Sequence, residues 1–192
     1  TEIYTLSLHD ALPIFNYFQI KYNQKDSEYY LRDLGHGFGT FVKISEPIEI
    51  KNNFLLSIGE NFIVTTFGLE NDMLLSEKSN IENDEIYKNF INLNIFSENI
   101  KHGNINFSPN QSPISIGRSP ECDIIINDNM LSRFHCFIEY KNGKWYVTDG
   151  YIEGNFNKKS TNGTWIYAFD DILVKNGMTF KANKNIFRCT FQ

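Results

Sequence analysis

The sequence predicts an all-β protein, and three observations carry that prediction. From Phe15 onward, short runs of β-branched and aromatic residues are separated by Gly, Asn and Pro. No stretch of the chain shows convincing helical periodicity. Two Asn-Gly pairs stand between such runs, and this pair tolerates the positive φ angles that a two-residue hairpin requires, which predicts tight turns at Asn142-Gly143 and Asn176-Gly177.

The predicted strands fall into two groups on either side of an acidic stretch. Those of the first half are 15–22, 29–32, 40–44, 54–58 and 62–67. Those of the second half are 91–96, 105–107, 114–117, 124–126, 134–140, 144–148, 164–167, 171–174, 178–182 and 186–191. Residues 69–89 between them are acidic and mixed, which favours a linker; a short helix at 73–75 or 81–87 is the alternative.

Composition and charge disfavour several classes of protein. With 41% hydrophobic and 15% aromatic residues, the 192-residue chain can build a core. A formal net charge of -5 argues against a nucleic-acid partner, which would need a basic face. The 3 cysteines lack CxxC spacing, which favours reduced thiols in an intracellular protein, cytoplasmic or nuclear. No apolar run approaches the roughly 20 residues that cross a bilayer, so no membrane partner is expected.

The first residues, 1–14, lack the basic start and cleavage site of a signal peptide. The run YTLSLHDALPI resembles translated sequencing-adapter read-through, so a non-native segment is expected there. From residue 15 the two halves resemble an imperfect repeat, in which FQIKY, YYLRD and GTFVKI run parallel to CFIEY, KWYVTD and GTWIY. The repeat predicts a truncated, degenerate copy at 15–68 and a complete domain at 90–192.

Four short motifs in the second half carry the residue types of an anion-binding site. They are Gly117-Arg118, the run Ser132-Arg133-Phe134-His135, Asp149, and the run from Ser160 to Trp165. The guanidinium of Arg118 can meet a phosphate bidentately and keeps its charge. Ser132 can add a hydroxyl donor, and the Asn162 amide can both donate to and accept from a peptide backbone. Loops at one end of a rigid sandwich are where such groups are usually presented.

The order and spacing of these motifs are similar to the signature of the forkhead-associated (FHA) family. The resemblance implies a β-sandwich of mostly antiparallel strands at 90–192, preceded by a partial second sandwich, and a non-catalytic module that binds phosphothreonine in partner proteins without cofactor or metal. It implies six ligand-binding residues and three supporting ones. The first set is Arg118 and Ser132 on the phosphate, Ser119 and Arg133 as helpers, Thr161 lining the pocket and Asn162 on the peptide main chain. The supporting set is His135, Gly117 and Gly163. The run GYIEGNFNKK, which follows Asp149, departs from the family pattern as an insertion.

Other interpretations of the same residues have less support. A serine hydrolase built on Ser132 and His135 lacks a Gly-x-Ser-x-Gly elbow, and His135-Cys136 has no second pair at metal-ligand spacing. The glycine-rich segment Gly35–Gly39 precedes a β run and no helix, unlike a nucleotide-binding loop. Two alternatives stay open, namely a scaffold that binds proteins without phosphate, and a regulatory FHA fragment of a larger signalling enzyme. Oligomeric state is not predicted.

Overall fold

The computed structural model describes residues 17–68, 89–97, 103–153 and 156–191. Within these ranges the regular structure is β, apart from a 3-10 turn at Pro109–Gln111, so the all-β prediction is confirmed. The chain forms two compact units, one made of residues up to Lys43 and from Trp165 onward, the other of Ile44–Thr164. In the described part of the chain, no helix has the length and apolar character needed to cross a membrane.

The first unit contains two small sheets. One has the strand order β1-β2-β16 and the other the order β18-β17-β3-β15, with antiparallel pairing throughout. Its strands are β1 (Phe18–Asn23), β2 (Glu28–Asp33), β3 (Thr40–Lys43), β15 (Thr164–Tyr167), β16 (Ile172–Leu173), β17 (Thr179–Ala182) and β18 (Asn185–Arg188).

The second unit contains a five-stranded sheet in the order β10-β9-β11-β12-β4, the four strands β5-β6-β7-β8 and a separate hairpin β13-β14. Pairing is antiparallel except between β9 and β10. Its first strands are β4 (Ile48–Glu49), β5 (Phe54–Ile58), β6 (Asn61–Phe67), β7 (Ile91–Phe96), β8 (Asn104–Phe107) and β9 (Ile114–Gly117). The others are β10 (Ile124–Ile125), β11 (Cys136–Lys141), β12 (Lys144–Asp149), β13 (Tyr151–Glu153) and β14 (Phe156–Lys158).

Alternation along the strands places the core of the second unit. In β6, Ile63 and Thr65 are fully buried while Phe62 between Asn61 and Ile63 is exposed, as the two-residue period of a pleated strand requires. The fully buried aliphatic side chains of this unit come from both of its larger sheets, and they include Leu56, Ile58, Ile63, Ile91, Leu93, Ile114, Ile116 and Ile138. Each such side chain contributes about 1.5–3 kcal/mol to folding relative to exposure.

Both predicted tight turns are present, since the Met178 N–H donates to the Lys175 carbonyl at 3.0 Å across Asn176-Gly177, but only the first joins two paired strands. Asn142 and Gly143 both have positive φ, 53° and 79°, and join β11 to β12. At Asn176-Gly177 only the glycine has positive φ, and the flanking strands do not pair, because β16 pairs with β2 and β17 with β3 and β18. The Asn-Gly signal marks a turn there, but β16 pairs with β2, far away in sequence, and β17 pairs with the distant β3 and with the following strand β18.

The compact units divide the chain differently from the boundaries expected from the sequence. Strand β4 pairs with β12, and β6 pairs with β7, so residues 44–67 lie in the same unit as 103–164. The internal repeat, with its truncated copy at 15–68, stays a prediction. The expectations for 1–14 and for the linker or helix within 69–88 fall outside the described residues.

Candidate functional site

Three loops of the second unit meet at the segment Met130–Ser132, which leads from β10 towards β11. Arg118 Nε donates to the carbonyl of Leu131 at 2.9 Å. Asn162 Nδ2 donates to the carbonyl of Met130 at 2.7 Å. Ser132 Oγ accepts the backbone N–H of Thr161 at 3.0 Å. Since consecutive Cα atoms are about 3.8 Å apart, the structure brings the predicted residues Arg118, Ser132, Thr161 and Asn162 to one place.

Arg118 presents most of its guanidinium to solvent. It follows β9 directly, and its backbone N–H donates to the carbonyl of Ser132 at 3.2 Å, which fixes where the side chain starts. The side chain is exposed, and its terminal nitrogens have no hydrogen-bond partner among the described residues. A guanidinium carries five N–H donors, and Nε uses one of them on Leu131, so the remaining four are available to an anion.

Ser119 and Arg133 lie beside this segment in different ways. Ser119 is 8% exposed, and its backbone N–H donates to the Arg133 carbonyl at 3.0 Å, so its position is that of a loop brace. The same carbonyl accepts from the Cys122 thiol at 3.2 Å. The Arg133 side chain is exposed and adds a second cation next to Ser132.

Gly117 and Gly163 have identifiable backbone roles. A Cβ on Gly117 would overlap the carbonyl of Arg133, so β9 approaches that carbonyl more closely than any other residue type allows. Gly163 has a φ of 82°, in the left-handed region that glycine adopts without strain. Both glycines therefore set the approach of loops that carry predicted ligand-binding side chains.

His135 joins two of these loops from inside the protein. It is fully buried; its Nδ1 accepts the backbone N–H of Ser132 at 3.1 Å, and its Nε2 lies 3.1 Å from the carbonyl of Gly163. An accepting Nδ1 places the proton on Nε2, which then donates to Gly163. Ser132 Oγ bonds to Thr161 and not to the imidazole, so this pair lacks the hydroxyl-to-base contact of a nucleophilic serine.

Asp149, at the end of β12, organises the turn that carries Thr161 and Asn162. This carboxylate is 1% exposed, and Oδ1 accepts the hydroxyls of Ser160 at 2.6 Å and Thr164 at 2.8 Å. Its Oδ2 accepts the backbone N–H of Ser160 at 3.2 Å. A buried carboxylate needs such donors, and here they hold both ends of the turn. Asp149 therefore belongs among the supporting residues, a role that its place among the sequence motifs did not reveal.

The insertion after Asp149 contains the β13-β14 hairpin and contacts Phe134 and His135. Gly150, with a φ of 88°, donates its N–H to the His135 carbonyl at 2.7 Å. The ring of Tyr151 lies 5.5 Å from that of Phe134, and the ammonium of Lys158 lies 5.8 Å from the Tyr151 ring. The strand-rich insertion was not predicted from the sequence, because its residues alternate too briefly to indicate strands.

The site contains neither a reactive thiolate nor a metal cluster in the part of the chain the structure describes. Burial raises the pKa of Cys136 to about 12, so this thiol stays protonated at neutral pH. No group of three or more His, Cys, Asp or Glu side chains among the described residues is arranged to hold a metal ion.

Comparison with known families gives one match, and it covers this region. Residues 114–181 match the family model described as FHA domain. The match includes Arg118, Ser132, His135 and Asn162, and it begins at β9. No curated protein matches the chain.

Proposed function

Since residues 114–181 carry an FHA domain, a family of phosphopeptide-binding interaction modules, we propose that this chain binds proteins phosphorylated on threonine through the loops around Met130–Ser132. The observation that carries the proposal is the convergence of Arg118, Ser132 and Asn162 on three consecutive residues. Arg118 supplies donors for the phosphate, the Ser132 hydroxyl supplies another, and Asn162 aligns the peptide main chain.

The bracing contacts support the same proposal because they hold the loops in place before a ligand arrives. His135 and Asp149 are buried and use neutral or charged hydrogen bonds to fix the turns at Ser132 and Ser160. Preorganised donors lose little conformational freedom on binding. Charge-assisted hydrogen bonds are worth about 1.5–3 kcal/mol each, so two or three of them separate a phosphorylated ligand from its unphosphorylated form.

The module acts by binding and not by catalysis, and it acts inside the cell. Cys122, Cys136 and Cys189 are free thiols in this structure, which suits a reducing compartment. The phosphate dianion is recognised by permanently charged arginine, so binding weakens as salt concentration rises.

Isothermal titration of the whole chain tests the proposal. A phosphothreonine peptide drawn from a degenerate library is compared with its unphosphorylated and phosphoserine forms. The variant Arg118→Ala is compared with the control Arg188→Ala, which replaces an exposed arginine of the first unit. We expect micromolar binding of the phosphothreonine peptide, at least tenfold weaker binding by Arg118→Ala, and no change in Arg188→Ala. Equal binding of phosphorylated and unphosphorylated peptides would reject the proposal in favour of a phosphate-independent scaffold.

A further inference from the structure

The two compact units repeat one pattern of strand pairing, although each is assembled from different parts of the chain. In the first unit, β1 pairs with β2 and β2 with β16. In the second unit, β11 pairs with β12 and β12 with β4. All four pairs are antiparallel. Strands β1, β2 and β16 of the first unit therefore correspond to β11, β12 and β4 of the second.

The registers of these pairs agree residue by residue. Strand β1 begins opposite the aspartate that ends β2, and β11 begins opposite the aspartate that ends β12. Where the third strand joins, Tyr30 lies opposite Leu173 in the first unit, and Tyr146 lies opposite Glu49 in the second. Both tyrosines stand three residues before that aspartate. Because a shift of one residue would turn every side chain to the other face, this agreement indicates two copies of one fold.

Three hydrogen bonds outside the strand pairs occur once in each unit, between corresponding groups. With the first-unit bond given first, they are the Val174 N–H to the Tyr29 carbonyl and the Ile50 N–H to the Trp145 carbonyl, both 2.8 Å; the Ala168 N–H to the Thr40 carbonyl and the Ile44 N–H to the Thr164 carbonyl, 2.9 and 2.8 Å; and the Phe191 N–H to Asn176 Oδ1 and the Phe67 N–H to Asn52 Oδ1, 3.2 and 3.1 Å. Residues 40–67 and their counterparts in 164–191 stand at one constant spacing along the sequence. No insertion or deletion interrupts the correspondence from β3 to β6.

Corresponding strands have changed places between the two halves of the sequence. In chain order, β4, β5 and β6 follow β1, β2 and β3, while β16, β17 and β18 follow β11, β12 and β15. We call β4–β6 and β16–β18 the closing strands of the two halves. Strand β2 nevertheless pairs with β16, and β12 pairs with β4, so each half is completed by the closing strands of the other half. Strand β3 likewise pairs with β17.

Either set of closing strands can fill either place, because their buried positions correspond. Ile50 and its counterpart Val174 are both buried, and the positions that are buried in β17 are also buried in β5. The connections that lead into the closing strands, 44–47 and 168–171, have equal length. Exchange of an equivalent element between copies keeps the same kinds of contact and therefore costs little free energy.

The exchange brings residues of the first half to the turn that carries Asn162. The Ile44 N–H donates to the Thr164 carbonyl at 2.8 Å, and Lys159 Nζ donates to the Ser45 carbonyl at 2.9 Å. Both bonds lie within the second unit, one at each end of this turn. The segment that leads into β4 therefore holds the turn in its place.

We infer that the chain consists of two copies of one fold that have exchanged their closing strands, and that this exchanged arrangement is the form that binds phosphopeptides. Residues 44–67 complete the copy with the proposed phosphate site, and residues 168–191 complete the other. The exchange follows from the strand pairing alone, whereas its part in binding rests on the proposed function. The first half of the chain is an integral part of the recognition fold and not a separate module.

Disulfide trapping in the full chain tests the exchange. Glu49→Cys with Tyr146→Cys, and Tyr30→Cys with Leu173→Cys, place two thiols opposite each other in the exchanged strands. The control variants recombine the same four substitutions as Tyr30→Cys with Glu49→Cys and Tyr146→Cys with Leu173→Cys, which lie opposite each other only if each half keeps its own closing strands. Directly opposite residues of antiparallel strands have Cα atoms about 4.5–5.5 Å apart, and a disulfide bridges about 4.4–6.8 Å.

We expect the first two variants to form an intramolecular disulfide at least about tenfold faster than the control variants when dilute protein is oxidised. Peptide mass mapping identifies the linked residues and distinguishes them from the native cysteines. Since each substitution occurs once in each set, a folding defect caused by one substitution affects both sets alike. Disulfides in the control variants, disulfides between two chains, or no disulfide in the first two variants would overturn the exchange.

The linked protein shows whether the exchanged arrangement is the form that binds. Oxidised Glu49→Cys/Tyr146→Cys should bind the phosphothreonine peptide within about twofold of its reduced form, because the disulfide fixes strands that already pair. A loss of about tenfold or more in affinity would overturn this part of the inference. Absence of phosphate-dependent binding in the unchanged chain would overturn the proposed function together with this part, and would leave the strand exchange standing.

Discussion

Replacing His135 by alanine should destabilise the second unit and weaken peptide binding together. The imidazole is fully buried and bridges the Ser132 N–H and the Gly163 carbonyl. Alanine removes both contacts and leaves one backbone donor and one backbone acceptor without partners. It also leaves a void of imidazole size between the two loops that carry the proposed ligand-binding residues.

The expected loss of stability follows from these two backbone groups, which His135→Ala leaves without hydrogen-bond partners. A buried polar group without a partner costs about 1–3 kcal/mol, so the pair costs roughly 2–6 kcal/mol, and the void left by the imidazole adds to this cost. We therefore expect a loss of about 4 kcal/mol in the free energy of unfolding. With a urea dependence of about 2 kcal/mol per molar, the unfolding midpoint should fall by about 2 M.

Urea unfolding followed by tryptophan fluorescence measures this change. Trp145 lies in the second unit and is 3% exposed, so unfolding of this unit moves its indole into water. His36→Ala is the control, since His36 is exposed and a surface change of this kind stays within about 0.5 kcal/mol. If His135→Ala and His36→Ala unfold at the same urea concentration, the hydrogen bonds of His135 to the two loops do not stabilise the fold, and the reasoning is refuted.

Three further predictions concern single residues. Gly117→Ala should lower the melting temperature by more than Gly143→Ala in thermal unfolding, because a Cβ at Gly117 overlaps backbone, whereas Gly143→Ala adds only the strain of a positive φ in open space; equal shifts would contradict this. The Tyr167 hydroxyl donates to the Asp33 carboxylate, and this hydrogen bond raises the pKa of Tyr167 from 10.0 to about 12. The free energy of unfolding that the bond adds is therefore complete below pH 10 and is lost as pH rises from about 10 to 12. In urea titrations across that range, Tyr167→Phe should lose less stability than the unchanged chain, and an identical loss would exclude this cause. Burial raises the pKa of the Cys136 thiol to about 12, so an aromatic disulfide reagent at pH 8 should modify Cys136 only in denaturant. Peptide mass mapping locates the modified residue. Rapid labelling of Cys136 in the native protein would contradict its buried position.

Local patterns predicted the strands, because alternation and turn residues are read over a few positions. Strands β5, β7, β9 and β15 have the bounds predicted from the sequence. Pairing over long separations could not be predicted in this way. Strand β16 pairs with the distant β2 and not with β17 across the Asn176-Gly177 turn. The two-residue strand β4 also escaped prediction, since it is defined by its pairing with β12.

The candidate site was predictable only in part, for a similar reason. The types and order of Arg118, Ser132 and Asn162 pointed to a phosphate site, and the structure brings these residues together. Their immediate partners include the carbonyls of Met130 and Leu131, and any residue type supplies a carbonyl, so the sequence carries no signal for these contacts. The contacts of Asp128 with Glu60 and Asn61 were equally hidden, because these partners lie more than sixty residues earlier in the chain.

The pairing of β6 with β7 and of β4 with β12 has a practical consequence for anyone who cuts this gene. A fragment that starts at residue 90 discards β1 to β6, which strips a hydrogen-bonding neighbour from the retained strands β7, β12, β15, β16 and β17. The apolar side of β7, with Ile91, Leu93 and Ile95, would lose the neighbouring strand beside it. Bare strand edges recruit other chains, so such a fragment should come out of cells as inclusion bodies. Expression from residue 44 onward keeps the partners of β7 and β12, but β15, β16 and β17 keep theirs only in the whole chain.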